Sequence, residues 1–218
     1  EGTKLGQYLK SVHYADQALG EFIDLLESEG LLENTVLVLY GDHDARLDIN
    51  DYVRLYNYDP ETNSILSPDD PDYINFDEYQ YELNRKVPFM IWSSETKEKL
   101  HKTVSDVMGM YDVMPTLGNM LGVYNKYALG HDIFQIGSNN IVVFPNGNWV
   151  TNSIYYNAQK GEYLSLAETA ISADYIEKNN EYADEILNTS NSLITFDLIQ
   201  KTQEGLSSEV EYVEERKN

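Results

Sequence analysis

The spacing of hydrophobic positions changes character several times along this chain, and each change marks a different element. Leu5, Leu9, Val12, Leu19, Ile23 and Leu26 recur at helical spacing with polar residues between them, which predicts one amphipathic helix from Lys4 to Gly30. Gly30 stands where a helix needs a left-handed residue just past its end. Asp16 falls inside the apolar stripe, and a carboxylate on a buried face needs donors or a cation. It is expected to anchor a loop through backbone N–H groups, with His13 at the edge of the stripe in a structural role. Val36 to Tyr40 is an unbroken apolar run, the pattern of a strand buried on both faces of a parallel sheet. Val87 to Trp92 reads as a second core strand, with Pro88 near its start where a missing donor is tolerated.

Between those strands the periodicity dissolves. Leu47 to Arg85 is rich in Asp, Asn, Tyr and Pro, a long acidic insertion of the kind that is functional or mobile in a compact domain. Asp59, Glu61 and Asn63 occupy calcium-loop positions, but Ser64 stands where the turn wants Gly and Asp70 where it wants Glu. Val104 to Met120 reads as helical with an interruption at Tyr111-Asp112. There Asp112 serves as an N-cap, Pro115 sits in the first turn, and Gly122 closes an apolar face of Met114, Leu117, Met120 and Leu121. Three short apolar runs follow, Ile141–Phe144, Trp149–Thr151 and Ile154–Tyr156, separated by Asn146-Gly147 and Asn152-Ser153. Asn-Gly between apolar runs is a strong hairpin signal, so a small antiparallel meander is predicted. Ala167 to Gln200 reads as a helical stretch whose interior contains Asn179-Asn180 and Thr189–Ser192, so two helices or one broken helix are expected there, and the charged residues from Glu204 to Asn218 read as a frayed tail. No repeat and no second full domain is visible.

Composition narrows the partners. Acidic residues outnumber basic ones 37 to 15, a formal charge of −22 in 218 residues. Nucleic-acid binding is thereby disfavoured, because phosphate contacts need clustered Lys and Arg. Cysteine is absent, which excludes disulfides and thiolate metal sites and fits an extracytoplasmic protein of an organism that avoids cysteine there. No apolar run approaches the ~20 residues of a membrane helix, and the chain begins with Glu1, so the natural start and any anchor are expected upstream. The 18 tyrosines, many in the polar middle, suit a surface that packs on sugar or protein, or an ordinary half-buried role.

Candidate chemistry sits at the end of the first strand, where Gly41, Asp42 and His43 follow Tyr40 without a spacer. Ligands of open α/β sheets bind beyond the carboxyl ends of the strands. An acidic oxygen beside an imidazole is a donor set that Zn²⁺ or Mn²⁺ accepts. The plainer alternative is that Asp42 caps a turn and His43 is a satisfied surface residue.

The order of these signals resembles a family. A helix carrying Tyr8-Leu9-Lys10-Ser11-Val12-His13-Tyr14-Ala15-Asp16 leads to a strand ending Tyr40-Gly41-Asp42-His43. Val87-Pro88-Phe89-Met90-Ile91, Tyr111-Asp112-Val113-Met114-Pro115-Thr116-Leu117, Leu121-Gly122 and Leu129-Gly130-His131-Asp132-Ile133-Phe134 then follow in order. Over residues 1–157 this resembles the C-terminal half of the sulfatase-like extracellular domain of lipoteichoic acid synthases and related phosphoglycerol transferases, of the alkaline phosphatase superfamily. The resemblance implies an α/β fold with parallel-type core strands, flanking helices and the antiparallel meander. On that reading residues 1–157 are the C-terminal part of the domain, with 47–85 inserted, and 158–218 form a helical extension.

The resemblance also implies a site. One divalent ion, usually Mn²⁺, is held by an upstream Glu, a Thr nucleophile and the Asp-His pair that Asp42 and His43 match. The nucleophile, the Glu and a substrate-binding histidine lie outside this sequence, so no catalytic residue is assigned and the chain alone is expected to be inert. The expected substrate is a lipid-linked phosphoglycerol, phosphatidylglycerol. The expected partner is the upstream half of the same domain, in a membrane-anchored parent at the extracellular face of the cell membrane, or released from it by proteolysis. The turn Asp44-Ala45-Arg46 departs from the family's small Tyr- or Gly-containing turn. Arg46 is a candidate for binding a substrate phosphate, with pairing to Asp48 as the alternative. Two rival functions remain: a sulfatase or phosphodiesterase of the same superfamily, and a non-catalytic cell-surface binding module.

Overall fold

A computed structural model describes residues 2–94, 102–137 and 140–203. The chain forms two compact units, Glu1–His101 and Lys102–Asn218. In the first, α1 (Lys4–Ser28) is capped by the Thr3 hydroxyl accepting from the Gly6 N–H, and Gly30 takes the expected left-handed conformation at φ 69°. The helix buries no residue completely; Leu5 and Tyr8 rest on the core while Leu9, Val12 and Asp16 are exposed. Asp16 therefore anchors no buried loop among the described residues, because the stripe it interrupts faces outward there.

Strands β1 (Val36–Tyr40) and β4 (Phe89–Ser93) pair with each other in antiparallel register, Val38 opposite Ile91 and Tyr40 opposite Phe89. The parallel orientation read from the apolar run is corrected here. An unbroken apolar run reports burial on two faces and carries no information on the direction of its neighbour. Val36, Tyr40, Met90 and Trp92 are in fact exposed.

The 47–85 segment is built rather than dissolved. It contains α2 (Ile49–Tyr56), a hairpin of β2 (Tyr58–Asp59) and β3 (Ser64–Ile65), and α3 (Glu78–Leu83). Asp48 and Asp51 form a reciprocal capping box on α2, so Asp48 is engaged at the helix start. Leu47, Tyr52 and Phe76 make the core of this unit. Tyr52 and Tyr56 both stack on Phe76 with centroids 5.4 Å apart, and Tyr81 meets Tyr52 edge-on. Asp59 accepts from the Thr62 hydroxyl and the Glu61 N–H. Those bonds hold its carboxyl below the usual range, the hydroxyl first, and turn it onto its own hairpin.

Asn57 is the fully buried clamp of the insertion. Its amide donates to the Val53 and Ile74 carbonyls, and its Oδ1 accepts from the Ile74 N–H at 2.7 Å. Asn57→Ala takes the side-chain partner from the N–H and the carbonyl of Ile74, while the Val53 carbonyl keeps the backbone N–H of residue 57, and stability of this unit should fall by about 1–3 kcal/mol. Urea unfolding followed by tyrosine fluorescence measures it.

In the second unit, a single turn of 3-10 helix (Met110–Asp112) runs into α4 (Val113–Leu121), closed by left-handed Gly122. No regular helix covers 102–109, so the helix predicted from Val104 is confined to its C-terminal part. A four-stranded antiparallel sheet follows in the order β5 (Ile141–Val143), β6 (Trp149–Thr151), β7 (Ile154–Asn157) and β8 (Glu162–Ser165). Gly147 at φ 86° makes the predicted Asn-Gly turn between β5 and β6. The segment from 158, expected to be helical, thus opens with a fourth strand.

Helix α5 (Ala173–Thr195) packs on this sheet, with Ala183 joining Ile141, Val143, Trp149 and Ile154. It runs through both predicted breaks. Asn180 accepts from the Trp149 indole at 2.8 Å, and Asn179 donates back to the Tyr175 carbonyl. The break falls instead at Asp197, φ 49°, before α6 (Leu198–Gln203). The predicted tail 204–218 lies outside the described residues. No described helix is long and apolar enough to cross a membrane.

Candidate functional site

Asp42 and His43 sit on the loop that leaves β1. Gly41 extends the strand pairing by donating to the Pro88 carbonyl at 3.1 Å. A Cβ on Gly41 would lie 2.7 Å from the Val87 Cβ, so only glycine lets the chain leave the strand this close to its neighbour. The next two side chains project outward, Asp42 with 85 % of its side chain exposed and His43 with 49 %. Asp42 Oδ1 and His43 Nε2 lie 3.7 Å apart.

The other face of the imidazole is engaged. His43 Nδ1 lies 2.6 Å from the backbone carbonyl of Asp44. Asp44 turns the opposite way: only 12 % of its side chain is exposed, and its carboxylate accepts from Arg85 Nε at 3.0 Å. Arg85 Nη1 also reaches Glu82 at 3.2 Å, from the end of α3. Burial alone would lower Arg85, but Glu82 and Asp44 outweigh it and hold the guanidinium above its ordinary value. The Tyr52 phenol is raised by desolvation first and by the charge of Asp44 second.

Arg46, the candidate phosphate ligand, is exposed at φ 51° and makes no ion pair among the described residues. The alternative partner Asp48 is occupied by its capping box. The basic residue tied to this loop is Arg85, which sequence reasoning did not single out. Its partner lies 41 positions away, and no local spacing connects them.

An O donor and an N donor less than 4 Å apart, both open to solvent, fit one side of a divalent-ion coordination sphere. Among the described residues no cluster of three or more His, Asp or Glu side chains surrounds them, so the described part of the site supplies these two side-chain donors. A second Asp–His pair, Asp112 and His131 at 4.0 Å, is of another kind. Asp112 is buried and spends both oxygens on the backbone N–H groups of Gly109 and His131.

The family model for sulfatases matches residues 3–123, from the start of α1 to just past α4. The chain belongs to the sulfatase family. It is similar to lipoteichoic acid synthase 2 of Bacillus subtilis, 30% identical over 191 residues, covering 83% of this chain and 27% of that protein. The lipoteichoic acid synthase-like protein YvgJ of the same organism is 28% identical over 201 residues, covering 90% and 30%. Lipoteichoic acid synthase of Staphylococcus aureus is 28% identical over 191 residues, covering 83% and 27%. The chain thus spans between a quarter and a third of these relatives. The resemblance read from Tyr40-Gly41-Asp42-His43 and the motifs around it is to this same group, and the matched region contains the Asp42–His43 loop.

Proposed function

We propose that this chain is the C-terminal part of the sulfatase-like domain of a metal-dependent phosphoglycerol transferase acting on phosphatidylglycerol. The observation that carries the reading is the convergence of Asp42 Oδ1 and His43 Nε2 to 3.7 Å at the end of β1, in a chain whose relatives are named lipoteichoic acid synthases.

Asp42 contributes negative charge to hold a divalent ion and His43 a neutral nitrogen lone pair. When bound, such an ion, Mn²⁺ on this reading, supplies Lewis-acid polarisation of a phosphoryl oxygen and favours a deprotonated nucleophile. On this reading Arg46, exposed on the same loop, binds the anionic phosphate of the substrate. The attacking threonine and the remaining ligands belong to sequence upstream of this chain. An isolated two-stranded sheet is marginal, and the exposed Val36, Tyr40, Met90 and Trp92 on β1 and β4 support a reading in which the upstream half of the domain covers them. The site then faces the cell exterior in a membrane-anchored parent.

The test is release of diacylglycerol from phosphatidylglycerol vesicles by the full-length parent, with and without Mn²⁺. Metal-dependent release is expected from the parent, and none from the 218 residues alone. Mn²⁺ binding without that release, together with cleavage of a sulfate or simple phosphodiester, would replace the transferase by a hydrolase. Neither activity nor Mn²⁺ binding would leave a binding module.

A further inference from the structure

The loop carrying the two donors has no regular structure between β1 and α2, yet its imidazole is held in one orientation. His43 Nδ1 faces the Asp44 carbonyl at 2.6 Å. A carbonyl oxygen only accepts, so Nδ1 carries the proton and Nε2 presents its lone pair on the side of Asp42. Which nitrogen is protonated is set by the hydrogen bond that the other side of the ring makes.

The residue that offers this carbonyl is itself anchored through its side chain. The Asp44 carboxylate, with little solvent to stabilise it, is matched by Arg85 Nε at 3.0 Å. Arg85 is itself braced by Glu82 at 3.2 Å and lies four residues before β4. The guanidinium therefore ties the loop leaving β1 to the segment entering β4, across the open end of the strand pair. An exposed ion pair would do little here. This one, half exposed on the Arg85 side, partners a carboxylate that is only 12 % exposed, and losing the cation takes away the anchor of the residue whose carbonyl meets His43.

We propose that Arg85, through Asp44, is a positioning residue that fixes His43 in its Nδ1–H tautomer and aims Nε2 beside the Asp42 carboxylate. The geometry of the tautomer stands by itself; its consequence for metal affinity rests on the reading of Asp42 and His43 as ligands. Groups that hold a liganding imidazole from its far side typically matter about 10–100-fold in affinity.

Two measurements test this. Long-range ¹H–¹⁵N correlation spectra of the metal-free, histidine-labelled full-length parent at alkaline pH report the tautomer of His43, assigned by its disappearance in His43→Gln. The wild type is expected to show Nδ1–H, Arg85→Ala to show a shift towards Nε2–H, and Arg85→Lys to recover part of the wild-type pattern. In the full-length parent, Arg85→Ala is expected to weaken Mn²⁺ binding by about 10–100-fold with unchanged circular dichroism. A wild-type His43 in the Nε2–H form overturns the proposal whatever any variant does. An Arg85→Ala tautomer identical to wild type overturns it too, even if Mn²⁺ still binds. A tautomer that shifts as expected in a parent that binds no Mn²⁺ supports the positioning role and removes the metal reading instead.

Discussion

His43→Ala in the full-length parent is expected to weaken Mn²⁺ binding by more than ~100-fold and to abolish metal-dependent release of diacylglycerol. Groups that merely orient a liganding histidine already cost about 10–100-fold, and removing the donor itself exceeds that. The loss should be confined to the site. His43 is half exposed and belongs to neither core cluster, so its removal leaves no cavity and no buried polar group behind. Isothermal titration with Mn²⁺ beside thermal unfolding separates the two effects: affinity collapses while the melting temperature of the metal-free protein holds. Asp42→Asn should follow the same pattern. It keeps the shape and one oxygen of a side chain that is 85 % exposed and removes the charge that attracts the cation. An affinity unchanged by either substitution would place the ion elsewhere.

The largest loss of stability is expected at Asp112, far from any metal argument. Its carboxylate, 1 % exposed, accepts from the Gly109 N–H at 2.8 Å and the His131 N–H at 2.7 Å. Thr116 donates to the Asp112 carbonyl at 2.6 Å and accepts from the Ile133 N–H at 3.0 Å. Residues 109–116 and 130–133 are thus stitched together through two side chains. Gly130 permits the approach, since a Cβ there would collide with the Tyr111 carbonyl and the Asp112 carboxylate. Asp112→Ala strands two donors, each worth about 1–3 kcal/mol, so a loss of about 2–6 kcal/mol is expected. Asp112→Asn keeps one acceptor and should fall between. Urea unfolding followed by tryptophan fluorescence reports it through Trp149 in the adjoining sheet. A loss below about 1 kcal/mol would show that this buried carboxylate is dispensable.

These cases mark where sequence is informative and where it stops. Asp42 and His43 stood out because an apolar strand ends abruptly at Gly41, a feature written in adjacent residues. The ends at Gly30 and Gly122, both with φ 69°, and the turn at Gly147 were legible for the same reason. Sequence pattern alone makes Asp112 the cap of α4, but its side chain makes no cap bond to that helix and reaches across to His131. Nothing local announces a partner 19 residues away.

The core of the 47–85 segment escaped because its apolar atoms belong to tyrosines spread among acids. Tyr52 and Tyr56 count as surface residues until Phe76 gathers them, and Tyr81 joins edge-on through Tyr52. Helix α5 survived Asn179-Asn180 because Trp149 and the Tyr175 carbonyl satisfy amides that would otherwise compete with the helix. Strand β8, reading Glu-Tyr-Leu-Ser at the edge of its sheet, has too little apolar content to declare itself. The Asp44–Arg85 pair combines both difficulties: it is distant in sequence, and it uses one carboxylate among many.

The most direct test of the central claim is an anomalous-scattering map from crystals of the full-length parent grown with Mn²⁺. The account predicts one peak within bonding distance of both the Asp42 carboxylate and His43 Nε2, with His43 Nδ1 still facing the Asp44 carbonyl. A manganese peak at other side chains, with Asp42 and His43 left to solvent, would contradict it.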